Sequence, residues 1–171
     1  MGRKYGNHIL LVVVLGVLGL AMRFPNPSIR IFVWMDPECP ISQKMTKSVR
    51  ELDISKLPCQ VVLVFPRNEK AEINRFRKKY QLLDLDYKID SQGSLTTAYH
   101  VTTTPEVRVV NENDSVLYGG AIDNSFPSIG IFKSPTEFYL ANALKDIAQG
   151  TCPSVAFVKP VGCLIQLQHG L

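Results

Sequence analysis

Apolar and polar positions along this chain fall into short blocks, each of which reads as a single strand or helix. Ile29 to Met35 is apolar and aromatic with one charge, bounded by Pro27 and by Asp36-Pro37, and reads as a buried strand. From Ile41 to Leu52 the apolar positions Ile41, Met45, Val49 and Leu52 recur at helical spacing, with polar residues between them. Cys59 to Phe65 is almost wholly apolar, which predicts a strand inside a sheet covered on both faces, and Pro66 ends it. Asn68 stands where it can cap a helix over Glu69 to Tyr80, whose Ile73, Phe76 and Tyr80 share one face.

Further on, Leu85 to Ile89 is a short extended piece and Ser94 to Tyr99 one or two helical turns. Glu106 to Val110 alternates like a strand, Asn111 to Asp114 is a tight turn, and Ser115 to Tyr118 completes a hairpin. The last helix runs from Pro135 to Gln149. Pro135 lies in its first turn, Phe138, Leu140, Leu144 and Ile147 are apolar, and Gly150 is its stop. Thr151 to Leu171 has no clear periodicity. The order is β-α-β-α, a connecting segment, then β-β-α. The first half requires parallel strands joined by crossover helices, and the second adds an antiparallel hairpin. The expected fold class is α/β: a three-layer α/β/α sandwich with a mixed central sheet.

The chain of 171 residues suits one domain with a real core, and 46% hydrophobic with 20% charged residues is a globular rather than a disordered composition. Net charge is +4, but the basic residues are scattered. The cluster Arg75, Arg77, Lys78 and Lys79 lies beside Glu69 and Glu72 and reads as a solvated helix face, so no nucleic-acid partner is expected. The N-terminus changes the picture more. Arg3 and Lys4 precede Ile9 to Met22, fourteen residues without a charge. At ~1.5 Å per residue this run covers about 21 Å of a ~30 Å hydrocarbon core. Its length fits the apolar region of a secretory signal, with Gly19 and Ala21 as the small residues of a cleavage site. Counted from Tyr5, the uncharged stretch is long enough for a signal anchor. Apolar residues on every face argue against a buried core helix.

The expected organisation is therefore a signal peptide or signal anchor with a short linker over 1–28, including an N-terminal hydrophobic helix. A domain over 29–150 follows, and then a cysteine-containing tail over 151–171 packed on it. This places the domain outside the cytoplasm, periplasmic or secreted. If the N-terminal segment is retained, it holds the domain to the membrane with its own N-terminus in the cytoplasm. Disulfides persist in such compartments.

The candidate chemistry is that of a thiol. Cys39 follows the first strand by a short polar turn and opens the next helix. A sulfur there meets unpaired backbone N–H groups and the positive end of the helix dipole, both of which favour the reactive thiolate. Cys59, at the start of an interior strand, reads as a buried thiol. With Cys152 and Cys163 the chain has four cysteines, which allow three full pairings. His100 lacks Cys or His partners at metal-binding spacing, so no metal site is expected, and no cofactor is implied. Trp34 reads as core, and Tyr118 and Asp123 as turn and cap residues or part of an active-site rim.

This order of elements resembles the thioredoxin fold, with Cys39 directly after the first core strand and Thr103-Thr-Pro105 directly before the hairpin strand. Thioredoxin-like proteins carry a cis-proline there, beside the active cysteine. The resemblance implies that Pro105 is cis and that Thr104 presents its backbone to an extended partner chain or substrate. Where those proteins have C-x-x-C, this chain has Cys39-Pro-Ile-Ser42. Ser42 cannot resolve a mixed disulfide, though its hydroxyl can hydrogen-bond a Cys39 thiolate. Peroxiredoxins place threonine or serine three residues before their cysteine. Asp36 stands there instead, so ordinary peroxiredoxin activity is not implied.

A longer stretch resembles secreted bacterial redoxin-domain proteins related to the alkyl hydroperoxide reductase and thiol-specific antioxidant families. The matching pieces are Asp36 to Lys44, Thr103 to Val107, Tyr118 to Asn124, Tyr139 to Leu144 and Gly162 to Ile165. With Ser42 unable to resolve Cys39, the expectation turns to Cys163 on the tail, since loop-closure entropy grows only slowly with length. Pairing of Cys39 with Cys163 is favoured; Cys152 with Cys163, and Cys59 with Cys152, stay open.

The expected function is an extracytoplasmic thiol–disulfide oxidoreductase. Cys39 is its nucleophile, Cys163 its resolving cysteine, and Thr104 and Pro105 its docking edge. Its partners are a disulfide-bearing or thiol protein and an electron donor. The alternatives are a non-catalytic binding module with Cys39 in a structural disulfide, and an atypical peroxide reductase.

Overall fold

Side-chain alternation along two apolar strands sets the layers of the molecule. The computed structural model describes residues 28–167. In β1 (Ile29–Trp34) and β2 (Cys59–Phe65), Ile31, Val33, Val61, Leu63 and Phe65 point to one face of the sheet. They bury against Ile41, Met45 and Val49 of α1 (Pro40–Arg50), Ile73 and Phe76 of α2 (Lys70–Lys79), and Leu140 and Leu144 of α4 (Tyr139–Ala148). The intervening Phe32, Trp34, Val62 and Val64 point the other way, to Leu95 in the short α3 (Ser94–Ala98) and to Tyr99 at its end. Fully burying one such side chain contributes roughly 1.5–3 kcal/mol.

The remaining strands are β3 (Asp86–Ile89), β4 (Thr103–Thr104), β5 (Glu106–Asn111), β6 (Val116–Gly120), β7 (Phe157–Val158) and β8 (Cys163–Leu164). The main sheet has the order β3-β2-β1-β5-β6-β7, and β4 and β8 form a second, two-stranded sheet. β1, β2 and β3 are parallel, and β5 is antiparallel to both β1 and β6. This is the expected three-layer α/β/α sandwich with a mixed sheet, and it is thioredoxin-like. The N-terminal hydrophobic helix and the signal segment lie outside the described residues. Among the described residues no helix is long and apolar enough to cross a membrane.

Several boundaries differ from expectation for identifiable reasons. The cap of α2 is Glu69, not Asn68. Glu69 forms a reciprocal capping box with Glu72, while the Asn68 amide donates to Asp36 Oδ1 at 3.4 Å. The last helix starts at Tyr139 rather than Pro135. Asn124 Oδ1 takes the backbone N–H groups of Thr136 and Glu137, so that segment is held as a loop. α1 ends at Arg50 and β1 at Trp34, slightly short of their apolar patterns.

The tail, where no periodicity was expected, adds β7 parallel to β6 and sets β8 antiparallel to β4. β7 needs Gly120, which has φ +108° and whose missing Cβ would lie 1.8 Å from the Val158 carbonyl oxygen. Two-residue strands are too short to leave a period in a sequence.

Asp90 closes β3 and organises α3. Its carboxylate accepts from the Thr96 hydroxyl and N–H, the Leu95 N–H and the Ser94 hydroxyl. Burial works to raise its pKa, but those hydrogen bonds hold it below the ordinary carboxylate value. Because the folded-state value is depressed, its contribution is present above the unfolded value of ~3.9 and is lost as pH falls through the folded one. Asp90→Ala is expected to lower stability by about 1–2 kcal/mol at neutral pH. The gap from the parent protein should narrow in acid, as measured by denaturant unfolding at both pH values.

Candidate active site

The turn before α1 is built by Asp36. Its carbonyl accepts the Cys39 N–H at 3.0 Å, and its Oδ1 accepts the Glu38 N–H at 2.9 Å, the side-chain turn that aspartate favours. The Gln43 amide then donates to the Pro37 carbonyl at 2.7 Å. Arg67 lies 3.1 Å from Asp36 Oδ2 and 3.6 Å from Glu38, so the buried Asp36 carboxylate is paired rather than free. These bonds fix Cys39 as the N-cap residue of α1 with Pro40 in the first turn, where its missing N–H costs nothing.

Cys39 is disulfide-bonded to Cys163, with 6.1 Å between the Cα atoms and a sequence separation of 124. Its sulfur lies 3.2 Å from the Thr104 carbonyl oxygen. Thr104 is also the strand partner of Cys163, Thr103 that of Leu164, and the Ile165 N–H donates to the Thr102 carbonyl at 2.9 Å. The Thr104–Pro105 peptide is cis. Cys39, Cys163, Thr104 and Pro105 therefore meet at one edge. Cys39 is only 2% exposed, whereas Cys163 borders an open groove of about 580 Å³ with Ile41, Phe126, Ile129 and Phe132 among its walls.

A buried ion pair holds this edge. Glu106 Oε2 accepts the N–H groups of Thr102 and Thr103 and the Thr103 hydroxyl, and Oε1 lies 2.7 Å from Arg108. Arg108 in turn donates to the carbonyls of Tyr99, His100 and Val107. Both charges are paired and hydrogen-bonded, the condition under which a buried pair is tolerated. Neither residue was expected at the site. Two charges in an otherwise apolar strand were the available signal, and alternation alone reads them as solvent-facing.

Ser42 does not join the sulfur pair. It is fully buried, and its hydroxyl oxygen accepts the Asp36 N–H at 3.2 Å, so it braces the turn. Asp123 caps its own turn through the Ser125 N–H and receives the Ser48 hydroxyl at 2.6 Å. It also lines a cavity of about 320 Å³ together with Pro105 and Val161. Tyr118 is buried beneath the rim, and its hydroxyl donates to the Ala121 carbonyl. Trp34 is core, bonded to the Thr96 hydroxyl. His100 offers the site its carbonyl, through Arg108. Cys59 and Cys152 are free, the first half-buried and the second exposed, so neither alternative pairing occurs. Burial pushes the Cys59 thiol up, away from the reactive thiolate.

The fold and this edge together define a thioredoxin-like domain with an intramolecular disulfide at the N-terminus of its first helix. Among solved structures, a hypothetical protein from Sinorhizobium meliloti 1021 superposes with TM-score 0.72 at 19% identity, over 85% of this chain and 82% of that one. An uncharacterized conserved protein from Geobacillus kaustophilus gives TM-score 0.71 at 16% identity, over 85% and 80%. StoA from Bacillus subtilis gives TM-score 0.50 at 18% identity, over 73% and 84%. At these identities the likeness is one of fold. No protein-family model matches the sequence, and no curated protein matches it significantly.

Thiol counting checks the pairing. Alkylation of the unreduced protein is expected to modify Cys152 readily and Cys59 slowly. Cys39 and Cys163 should react only after reduction, as peptide mass mapping would show. Removing the Glu106 carboxylate would leave Arg108 buried without its partner, so Glu106→Ala is expected to cost about 3–5 kcal/mol in denaturant unfolding.

Proposed function

We propose that this chain is a thiol–disulfide oxidoreductase in which Cys39 and Cys163 cycle between a disulfide and two thiols. One observation carries the reading: the Cys39 sulfur, at a helix N-cap, is bonded to Cys163 directly beside the cis Thr104–Pro105 edge. Such an arrangement suits exchange chemistry: the sulfur makes no hydrogen bond to the helix N–H groups in the bonded form, but the positive end of the helix dipole favours Cys39 as attacking thiolate and as leaving group.

In the oxidised form Cys163 borders the groove, so a donor dithiol attacks the Cys163 sulfur and the bonding electron pair leaves on Cys39. The donor's second thiolate then releases Cys163, leaving the donor as a disulfide and this chain as a dithiol. In the forward half-cycle the Cys39 thiolate attacks a partner disulfide, forming a mixed disulfide and expelling one partner thiolate. Cys163 next attacks the Cys39 sulfur, expels the second partner thiolate and restores the internal bond. Two electrons pass to the partner. Run in reverse, the same steps oxidise a dithiol partner. Thr104 and Pro105 are the edge on which the partner docks. We place this activity outside the cytoplasm; the uncharged run Ile9–Met22 and an internal disulfide support that location.

A second reading, a non-catalytic module with Cys39 in a structural staple, draws support from the near-complete burial of Cys39. Turnover separates the two. With a dithiol as donor and insulin as disulfide substrate, Cys39→Ser is expected to fall to the uncatalysed rate. Cys163→Ser should stall as a Cys39 mixed disulfide visible by mass. A parent protein that never exceeds the uncatalysed rate, or an internal bond that withstands mild reductant, would leave the staple.

A further inference from the structure

The tail occupies the docking edge in the manner of a bound strand. β8 runs antiparallel to β4, with Cys163 opposite Thr104 and the Ile165 N–H on the Thr102 carbonyl. Its side chains alternate as a strand's should. Leu164 points to solvent at 77% exposure, and Ile165 packs against the buried cluster of Phe32, Trp34 and Val101. Further along, the Leu167 side chain sits against Gly93.

Gly162 is what lets this strand approach. A Cβ there would lie 2.4 Å from the Thr104 carbonyl oxygen and 2.8 Å from its carbon, both of them backbone atoms that cannot swing away. The position directly before the bonded cysteine must therefore be glycine for this seating.

From these observations we infer that the tail is a built-in copy of the partner. The edge takes an extended polypeptide carrying glycine directly before its reactive cysteine and a large apolar residue two positions after it. This rests on the oxidoreductase reading above. It adds a selection rule and a coupling, because partner strand and β8 contend for the same backbone groups of Thr103 and Thr104. When Cys163 returns to attack the Cys39 sulfur, the strand that carries it reclaims the edge. Forming the internal disulfide and expelling the product are then one motion. Recognition lies in the main chain, which every polypeptide shares, and selectivity lies in the two flanking positions.

The test uses the full chain carrying Cys163→Ser, reduced, so that Cys39 is the sulfur at the edge. The probe is a synthetic peptide copying Pro160–Leu167, its cysteine activated as a mixed disulfide with thionitrobenzoate. Attack by the Cys39 thiolate on the peptide sulfur joins protein to peptide and releases one thionitrobenzoate anion, which is read by absorbance and confirmed by mass. The peptide is expected to react faster than its Gly162→Val version by roughly tenfold or more, the range of an overpacking clash. An Ile165→Asp version of the peptide should also be slower. Placing Gly162→Val in the protein instead should unseat the tail and speed the parent peptide. Equal rates for the parent and valine peptides, or no gain when the protein's own tail is unseated, would overturn this inference while leaving the oxidoreductase reading intact. Glutathione activated in the same way serves as a control. If neither it nor any peptide reacts with Cys39, the oxidoreductase reading itself fails. The peptide series alters no residue of the protein, so a misfolded variant cannot imitate its result.

Discussion

The main chain around Thr104 is where the separate parts of this molecule are brought into register. Its carbonyl faces the Cys39 sulfur at 3.2 Å, its strand partner is Cys163, and the peptide that follows it is cis. A residue with these three obligations needs a fixed backbone. Glu106 supplies it by accepting the two N–H groups that precede Thr104, and Arg108 holds Glu106 while satisfying the carbonyls that end the α3 segment. A charged pair deep in a small domain contributes little to stability for its desolvation cost. Here it gives the loop from Tyr99 to Thr103 hydrogen bonds that an apolar pair could not make.

What the sequence displayed and what it hid follow one division. Elements that bury a repeating face were legible: the strand before Cys39, the interior strand from Cys59, the faces of α1 and α2, and the hairpin around Asn111. Each contains enough residues for a period to show. Placing Cys39 at the start of a helix required only the proline and the polar turn beside it. The cis bond at Pro105 came by resemblance, and the pairing of Cys39 with Cys163 from the lack of a nearer partner once Ser42 stood in the second cysteine's place. Interactions made by a single side chain across long separations were hidden. Nothing local in Asn124 announces that it holds Thr136 and Glu137 out of the last helix, or in Ser42 that its hydroxyl belongs to Asp36. Gly162 stood in plain view, yet its necessity depends on a carbonyl almost sixty residues earlier in the chain.

The two sulfurs of the bridge occupy unlike surroundings. Cys39 is enclosed, fixed by a turn with paired charges and lying against a helix end. Cys163 stands at the margin of a groove whose neighbourhood exposes Ile129, Phe132 and Leu164. The positive end of the helix dipole favours Cys39 as a leaving group, and openness favours attack on Cys163 from outside. This division of labour is achieved without a second cysteine on α1, whose place is taken by a serine that stiffens the turn instead.

The anchoring of the tail has a thermodynamic side. Val158 in the sheet, Gly162 under Thr104, Ile165 on the Phe32–Trp34 cluster and Leu167 against Gly93 each make contacts that last only while the segment is seated. Together they set the effective concentration of the Cys163 thiol at Cys39, and hence how strongly the paired state resists reduction. Linkage makes the relation reciprocal: whatever those contacts lend to the bond, the bond lends to them, and opening it loosens all of them at once. How readily the Cys39–Cys163 bridge is reduced is therefore written less in its two cysteines than in the packing of a short apolar strap. Changes there, away from either sulfur, would shift the balance between the bonded and the opened forms of the bridge.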